Sequence, residues 1–187
     1  MQKHILNLVL CVTPLALLAQ APSLVVEPDF SNSFFFLQPD SSLKPLQRES
    51  MALNSKIKFM GYGGAEATYQ IQGEHSPLRI ASASTPFIIV KLDGSSDPAN
   101  IVSIYPLQVG KGQRSLAFLK THFLGTGMKN KMQGKDIPFT YERYGQGSVK
   151  ITMSSPLAAG EYGIVLASGM NQPQPFAYCF GVDTAVQ

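Results

Sequence analysis

Gly160-Glu161-Tyr162-Gly163-Ile164-Val165-Leu166 and, after a Pro-containing link, Phe176-Ala177-Tyr178-Cys179-Phe180-Gly181-Val182-Asp183 form the stretch that decides the fold class. In the first half Tyr162, Ile164 and Leu166 fall on every second position, and in the second half Phe176, Tyr178, Phe180 and Val182 do the same. A period of two sends successive side chains to opposite faces, so each half is a strand with one strongly apolar face. Asn171 to Pro175, rich in turn formers, separates the two. Gly160 stands two residues before a Tyr that opens a strand, the arrangement of a tyrosine corner, in which the phenol hydroxyl bonds back to upstream backbone.

The same rhythm extends back along the chain. Phe34-Phe35-Phe36-Leu37 is a hydrophobic segment expected in the core; Ile57 and Phe59 alternate with Lys56 and Lys58 before the turn Gly61-Tyr62-Gly63-Gly64; Tyr69 and Ile71 follow. Phe87-Ile88-Ile89-Val90 is a continuous apolar run, the mark of a strand covered on both sides, and Asp93 to Pro98 ends it. Ile101 to Val109 and Ser115 to Leu119 come next, then Phe139 and Tyr141 with Val149, Ile151 and Met153 in a hairpin around Gly145-Gln146-Gly147. After the amino-terminal region no window longer than ten residues has helical spacing. Nine or ten short strands predict an all-β fold, a two-sheet antiparallel β-sandwich, immunoglobulin-like because one further strand follows the Tyr162 strand before the chain ends. An outer-membrane barrel fits less well, since the strands are short and unevenly spaced and the chain closes on a polar tail at Gln187.

Of 187 residues 44% are hydrophobic and 14% charged, which excludes a disordered tail and a coiled coil. Residues 1–21 have the form of a cleaved signal peptide: Lys3 and His4, an apolar stretch from Ile5 to Leu18 broken by Pro14, then Ala19-Gln20-Ala21 as a small-x-small cleavage site. Cleavage after Ser23 is the alternative, because Pro22 follows Ala21. The expected mature chain, 22–187, is a single domain exported to the periplasm or the extracellular space, with no transmembrane segment. Removing the signal takes away Lys3 and no acid, so the net charge falls from +3 to +2, too close to neutral for nucleic-acid binding. Cys179 alone remains in the mature chain, so no internal disulfide can form.

Pro156-Leu157, Gly160-Glu161-Tyr162 and Phe180-Gly181-Val182-Asp183 resemble a family of uncharacterised exported bacterial all-β proteins. Segments like Leu43-Lys44-Pro45-Leu46-Gln47-Arg48, Gly73-Glu74-His75-Ser76-Pro77-Leu78-Arg79 and Lys111-Gly112-Gln113-Arg114 recur there in the same order, so the resemblance spans nearly the whole mature chain. It implies export and brings no activity, cofactor or catalytic residue.

Nucleophilic catalysis needs a Ser or Cys beside a base, and the mature chain offers only His75 and His122 as imidazoles. Glu74-His75-Ser76 cannot relay a proton among themselves, because consecutive residues of an extended segment face opposite ways. No Gly-x-Ser-x-Gly elbow occurs, and Cys179 between Tyr178 and Phe180 reads as a small buried thiol. His122, Met128 and Met132 lie in one Gly-containing loop and would suit copper(I), and Asp93, Asp97 and Asn100 could line a calcium turn; gap-filling Met and solvated turn residues are the simpler expectations, and neither metal nor cofactor is expected. Gly127 and Gly134-Lys135 are too far apart for a phosphate loop.

The unusual feature is charge. Between Asp97 and Asp136 there is no acid, while Lys111, Arg114, Lys120, Lys129, Lys131 and Lys135, with His122, fall in that interval. Were the strands around 101–109 and 115–120 and the loop 121–136 side by side, these six cations would form a ligand-binding face for anionic envelope material or an acidic partner protein. A solvated face, or Lys guarding an edge strand, is the plainer explanation. The expectation is an exported, monomeric or weakly associating, non-enzymatic binding module of the bacterial cell envelope. The alternatives are a hydrolase of envelope glycans, for which Glu74, Glu142 and Glu161 are the acids to inspect, and a structural component of an envelope assembly.

Overall fold

A computed structural model describes residues 25–57, 65–81, 86–94, 96–124, 127–131, 135–170 and 172–184, with the backbone alone for 56–57, 65–66, 117–124 and 127–131. Residues 1–21, expected as a signal peptide, and the expected Gly61–Gly64 turn lie outside the described residues. In chain order the strands are β1 (Phe34–Leu37), β2 (Leu43–Pro45), β3 (Gln47–Ser50), β4 (Ala52–Ile57), β5 (Ala65–Gln72), β6 (Arg79–Ala81), β7 (Phe87–Lys91), β8 (Val102–Gly110), β9 (Gln113–Leu124), β10 (Gly127–Lys131), β11 (Phe139–Tyr144), β12 (Ser148–Met153), β13 (Gly160–Leu166) and β14 (Phe176–Asp183). Two single-turn helices, α1 (Pro98–Ile101) and α2 (Ala167–Met170), complete the described elements.

The strands form two sheets. One runs β11-β12-β7-β1-β2; the other runs β3-β14-β13-β8-β9-β5-β4, with β10 added to β9 and β6 to β14. Their ladders are antiparallel except for β6, which lies parallel to β14. The alternating residues of the sequence meet between the sheets: Phe34 and Phe36, Ile88 and Val90, Ile151 and Met153 pack against Tyr162, Ile164, Phe180 and Val182. Phe34 and Tyr178 approach to 5.0 Å between ring centroids and Phe36 and Phe180 to 5.2 Å, bridging the layers of a sandwich. Burying each such side chain contributes about 1.5–3 kcal/mol.

A second core lies on the opposite face of β8, β13 and β14. Leu107, Val165, Ala177 and Cys179 meet Met51, Tyr69, Ile71 and Leu116 there. β3 and β4, the two ends of the larger sheet, are separated in the chain by Met51 alone, so that sheet curls back on itself around this core. β13 and β14 are therefore buried on both faces, where the alternation marked a single apolar face. The sequence hid this because the second face carries Gly163, Ala177, Cys179 and Gly181, small residues with little apolar signal.

Other expectations meet the structure directly. Ile88, Ile89 and Val90 are all fully buried, as a continuous apolar run requires. The hairpin at residues 145–147 joins β11 to β12. Tyr162 Oη donates to the Ala158 carbonyl at 2.7 Å, the bond of a tyrosine corner. Two differences stand out. Ile101 ends α1, which Asp97 caps by accepting from the Ala99 N–H, instead of opening the following strand. Residues 121–131, expected as loop, are mostly the paired ends of β9 and β10. Among the described residues no helix is long and apolar enough to cross a membrane.

Candidate functional site

The six cations of the acid-free interval do not share one face. β9 pairs with β8 only over Gln113–Ser115 and with β5 as far as Thr121; past that point its partner is β10, so the two make a ribbon. Its register sets Lys131 opposite Lys120 and Lys129 opposite His122. With a strand period of two, these four positions fall on one face of the ribbon, while Thr121, Phe123, Met128 and Asn130 take the other. Like charges directly opposite one another repel. On its other side the register partner of Lys120 is Glu66 of β5. Lys135 is exposed in the segment after the ribbon. The side chains of His122 and Met128, and Met132 altogether, lie outside the described residues, so the copper grouping does too.

Lys111 is elsewhere. It occupies the β8–β9 turn in the left-handed region, φ 57°, next to Gly112 at φ 76°. The extended chain from Gln113 to Lys120, about 23 Å at the rise of a strand, separates it from Lys120.

Arg114 leaves the surface altogether. It is only 1% exposed, and it shares its side of β9 with the core residue Leu116. Its guanidinium makes a two-pronged pair with Glu49 of β3, donates to Ser76 Oγ, and donates to the Gly73 and Gln72 carbonyls. Glu161 Oε2 lies 3.9 Å away. Glu161, itself 3% exposed, accepts from Ser76 N at 2.8 Å and Arg79 Nη1 at 2.6 Å, and His75 Nδ1 sits 3.4 Å from it. Arg79 also donates from Nε to Asp183. Burial pushes the Glu161 carboxyl up, but the Arg79 and Ser76 hydrogen bonds outweigh it and hold the group below its usual range. A Cβ at position 181 would overlap Arg79 Nη1, so Gly181 makes the room for this pair. Glu74 accepts from Gly112 N at 2.8 Å and ties the β8–β9 turn to the same loop. The network thus joins the segments 73–79 and 111–114 to Glu161, Gly181 and Asp183. Each buried charge in it, Arg114 and Glu161, is hydrogen-bonded and has a partner of opposite charge, which is the condition under which buried ions are tolerated.

The polar side chains of this cluster are engaged with one another. Ser76 Oγ accepts from Arg114, and the exposed His75 sets its Nδ1 3.4 Å from Glu161 Oε1. Cys179 is buried, and that burial pushes its thiol far above the range of a reactive cysteine. Glu142 on β11 pairs with Lys150, so Glu74, Glu142 and Glu161 are each engaged separately. Asp93 accepts from Asn32 Nδ2, and Asp97 accepts from Tyr141 Oη besides capping α1. Among the described residues no three His, Cys, Asp or Glu side chains converge on a metal position.

Sequence reasoning did not foresee the partnership of Glu49, Ser76 and Arg79 with Arg114 and Glu161. Two signals were present: Arg114 has the same strand parity as Leu116, and Glu161 interrupts an otherwise apolar strand. Comparison of the chain with protein-family models, with curated proteins and with solved structures finds no match.

Proposed function

We propose that this chain is an exported, non-enzymatic binding module of the cell envelope, an immunoglobulin-like sandwich that holds an anionic envelope ligand on the β9–β10 ribbon. The immunoglobulin-like reading rests on strand order. β1-β7-β12-β11 faces β9-β8-β13-β14, the order A-B-E-D against C′-C-F-G, with β2 to β6 inserted between A and B. The tyrosine corner then falls at the start of strand F, and Gly160 at φ 157° leads into it. Export rests on the form of residues 1–21, and a cell-envelope setting on the resemblance carried by the closing motif.

The binding reading rests on one observation, the register that brings Lys120, His122, Lys129 and Lys131 to one face of the ribbon. A cluster of Lys around one acid, Glu66, attracts a polyanion such as an acidic glycan or a lipid head group, and the attraction is screened by salt. The test is retention of the mature domain on isolated cell envelopes over a salt series. Retention at low ionic strength that falls steeply as salt rises is the expected outcome. Retention that does not respond to salt, or none at low salt, removes the proposal.

A further inference from the structure

We propose a second ligand site, separate from the ribbon: the cleft between the open edges of the two sheets takes a single-chain amphiphilic anion, an acyl chain with an anionic head group. The end of β1, the β1–β2 turn, β6 and the start of β7 enclose a space of about 680 Å³, a size suited to small-molecule ligands. Leu37, Leu78, Ile80 and Phe87 form apolar walls. Phe87 remains 39% exposed and Leu37 and Ile80 half-buried, so the sandwich leaves apolar surface wet at this edge.

Charge selects the occupant. Lys44 and Arg79 line the cleft, and no Asp or Glu is among its described lining residues. Glu161 and Asp183 already pair with the Arg79 guanidinium and neutralise it, so Lys44 is the cation that selects an anionic head group. Lys44 is exposed and makes no ion pair among the described residues, so an anionic head group would add its missing partner. A strand-adding peptide would need a long free edge, whereas β2 and β6, which border the cleft, are three residues each. An aliphatic chain against the walls with its head at Lys44 satisfies both features.

The experiment is displacement of a fluorescent polyene fatty acid from the mature domain by oleate, by oleyl alcohol and by inorganic phosphate. Saturable binding displaced by oleate, and much less by the alcohol or by phosphate alone, is expected. Lys44→Glu and Ala81→Trp, both at exposed positions, are expected to weaken oleate about tenfold or more, a change of about 1.4 kcal/mol. The triple variant Lys120→Glu, Lys129→Glu, Lys131→Glu binds oleate like the native chain, so failure at the ribbon and failure at the cleft are read apart. Absence of saturable binding, equal displacement by oleyl alcohol, or native affinity in both cleft variants overturns the proposal.

Discussion

The guanidinium of Arg114 and the carboxylate of Glu49 meet in a two-pronged ion pair, Nη1 to Oε1 at 3.1 Å and Nη2 to Oε2 at 2.5 Å, with Arg114 1% exposed. A cation so placed is sustained by its partners, and removing it strands Glu49 and Glu161 in a poorly solvated setting. Arg114→Met is therefore expected to cost about 3–5 kcal/mol, the range for breaking a buried pair. Glu49→Gln keeps an acceptor and is expected to cost less, about 1–3 kcal/mol. Denaturant midpoints measured at unchanged slope check both, and native stability in Arg114→Met would contradict the structural role assigned to the network.

Gly181 gives a second handle on the same cluster. A methyl group there would overlap Arg79 Nη1 and come within 2.8 Å of Glu161 Oε1. Gly181→Ala should displace the Arg79 side chain and leave Glu161 short of a donor, at a cost of about 1–3 kcal/mol. In an Arg79→Ala background the same change should cost clearly less, because its main obstacle is gone. A double-mutant cycle by thermal unfolding measures the difference, and strict additivity would refute this account of the glycine.

Tyr162→Phe isolates the tyrosine corner. The ring stays stacked on Phe180, 5.4 Å between centroids, and only the hydrogen bond to the Ala158 carbonyl is lost. The expected penalty is about 0.5–1.5 kcal/mol with the fold intact. Unfolding curves of the two proteins settle it, a zero difference being the adverse result.

The pH response is set by carboxylates bound more tightly folded than unfolded. Glu27 accepts from Gln146 N, Gly147 N and Ser148 Oγ, and these bonds, the Gln146 N–H first, lower its pKa from 4.5 to about 2. A group depressed in this way stabilises the fold above its unfolded pKa and loses that contribution as pH falls through the folded value. Glu161 shifts in the same direction. Stability should hold above about pH 5 and decline toward pH 2. Amide exchange at Gln146 and Gly147 should speed up over that window, and Glu27→Gln should show the faster exchange already at neutral pH. Exchange at these two amides that is indifferent to both pH and the substitution would rule out the Glu27 clamp.

The sandwich core was legible because its two central strands carry Tyr162, Ile164, Phe180 and Val182 on strict alternate positions, and apolar period-two patterning survives any tertiary context. The second core was not, since it is assembled from Met51, Tyr69, Leu116 and Cys179, scattered over three strands and the β3–β4 link, and depends on a sheet curling through a single residue at Met51. The basic segment was visible as composition, but its partition was not. Only strand register separates Lys120, Lys129 and Lys131 on the ribbon from Lys111 at the far end of β9 and from Arg114 inside. The cleft proposed to take an amphiphilic anion had no linear signal, because its walls come from four segments whose proximity is set by the pairing of β1 with β7 and of β6 with β14.

The most direct measurement compares two charge reversals on isolated cell envelopes at low salt: the triple variant Lys120→Glu, Lys129→Glu, Lys131→Glu and the single variant Lys111→Glu. If the ribbon is the binding face, the triple variant loses salt-sensitive retention while Lys111→Glu, in the turn at the other end of β9 and about 23 Å of strand away, behaves as the native domain. Native retention by the triple variant, or equal loss in both, would contradict it.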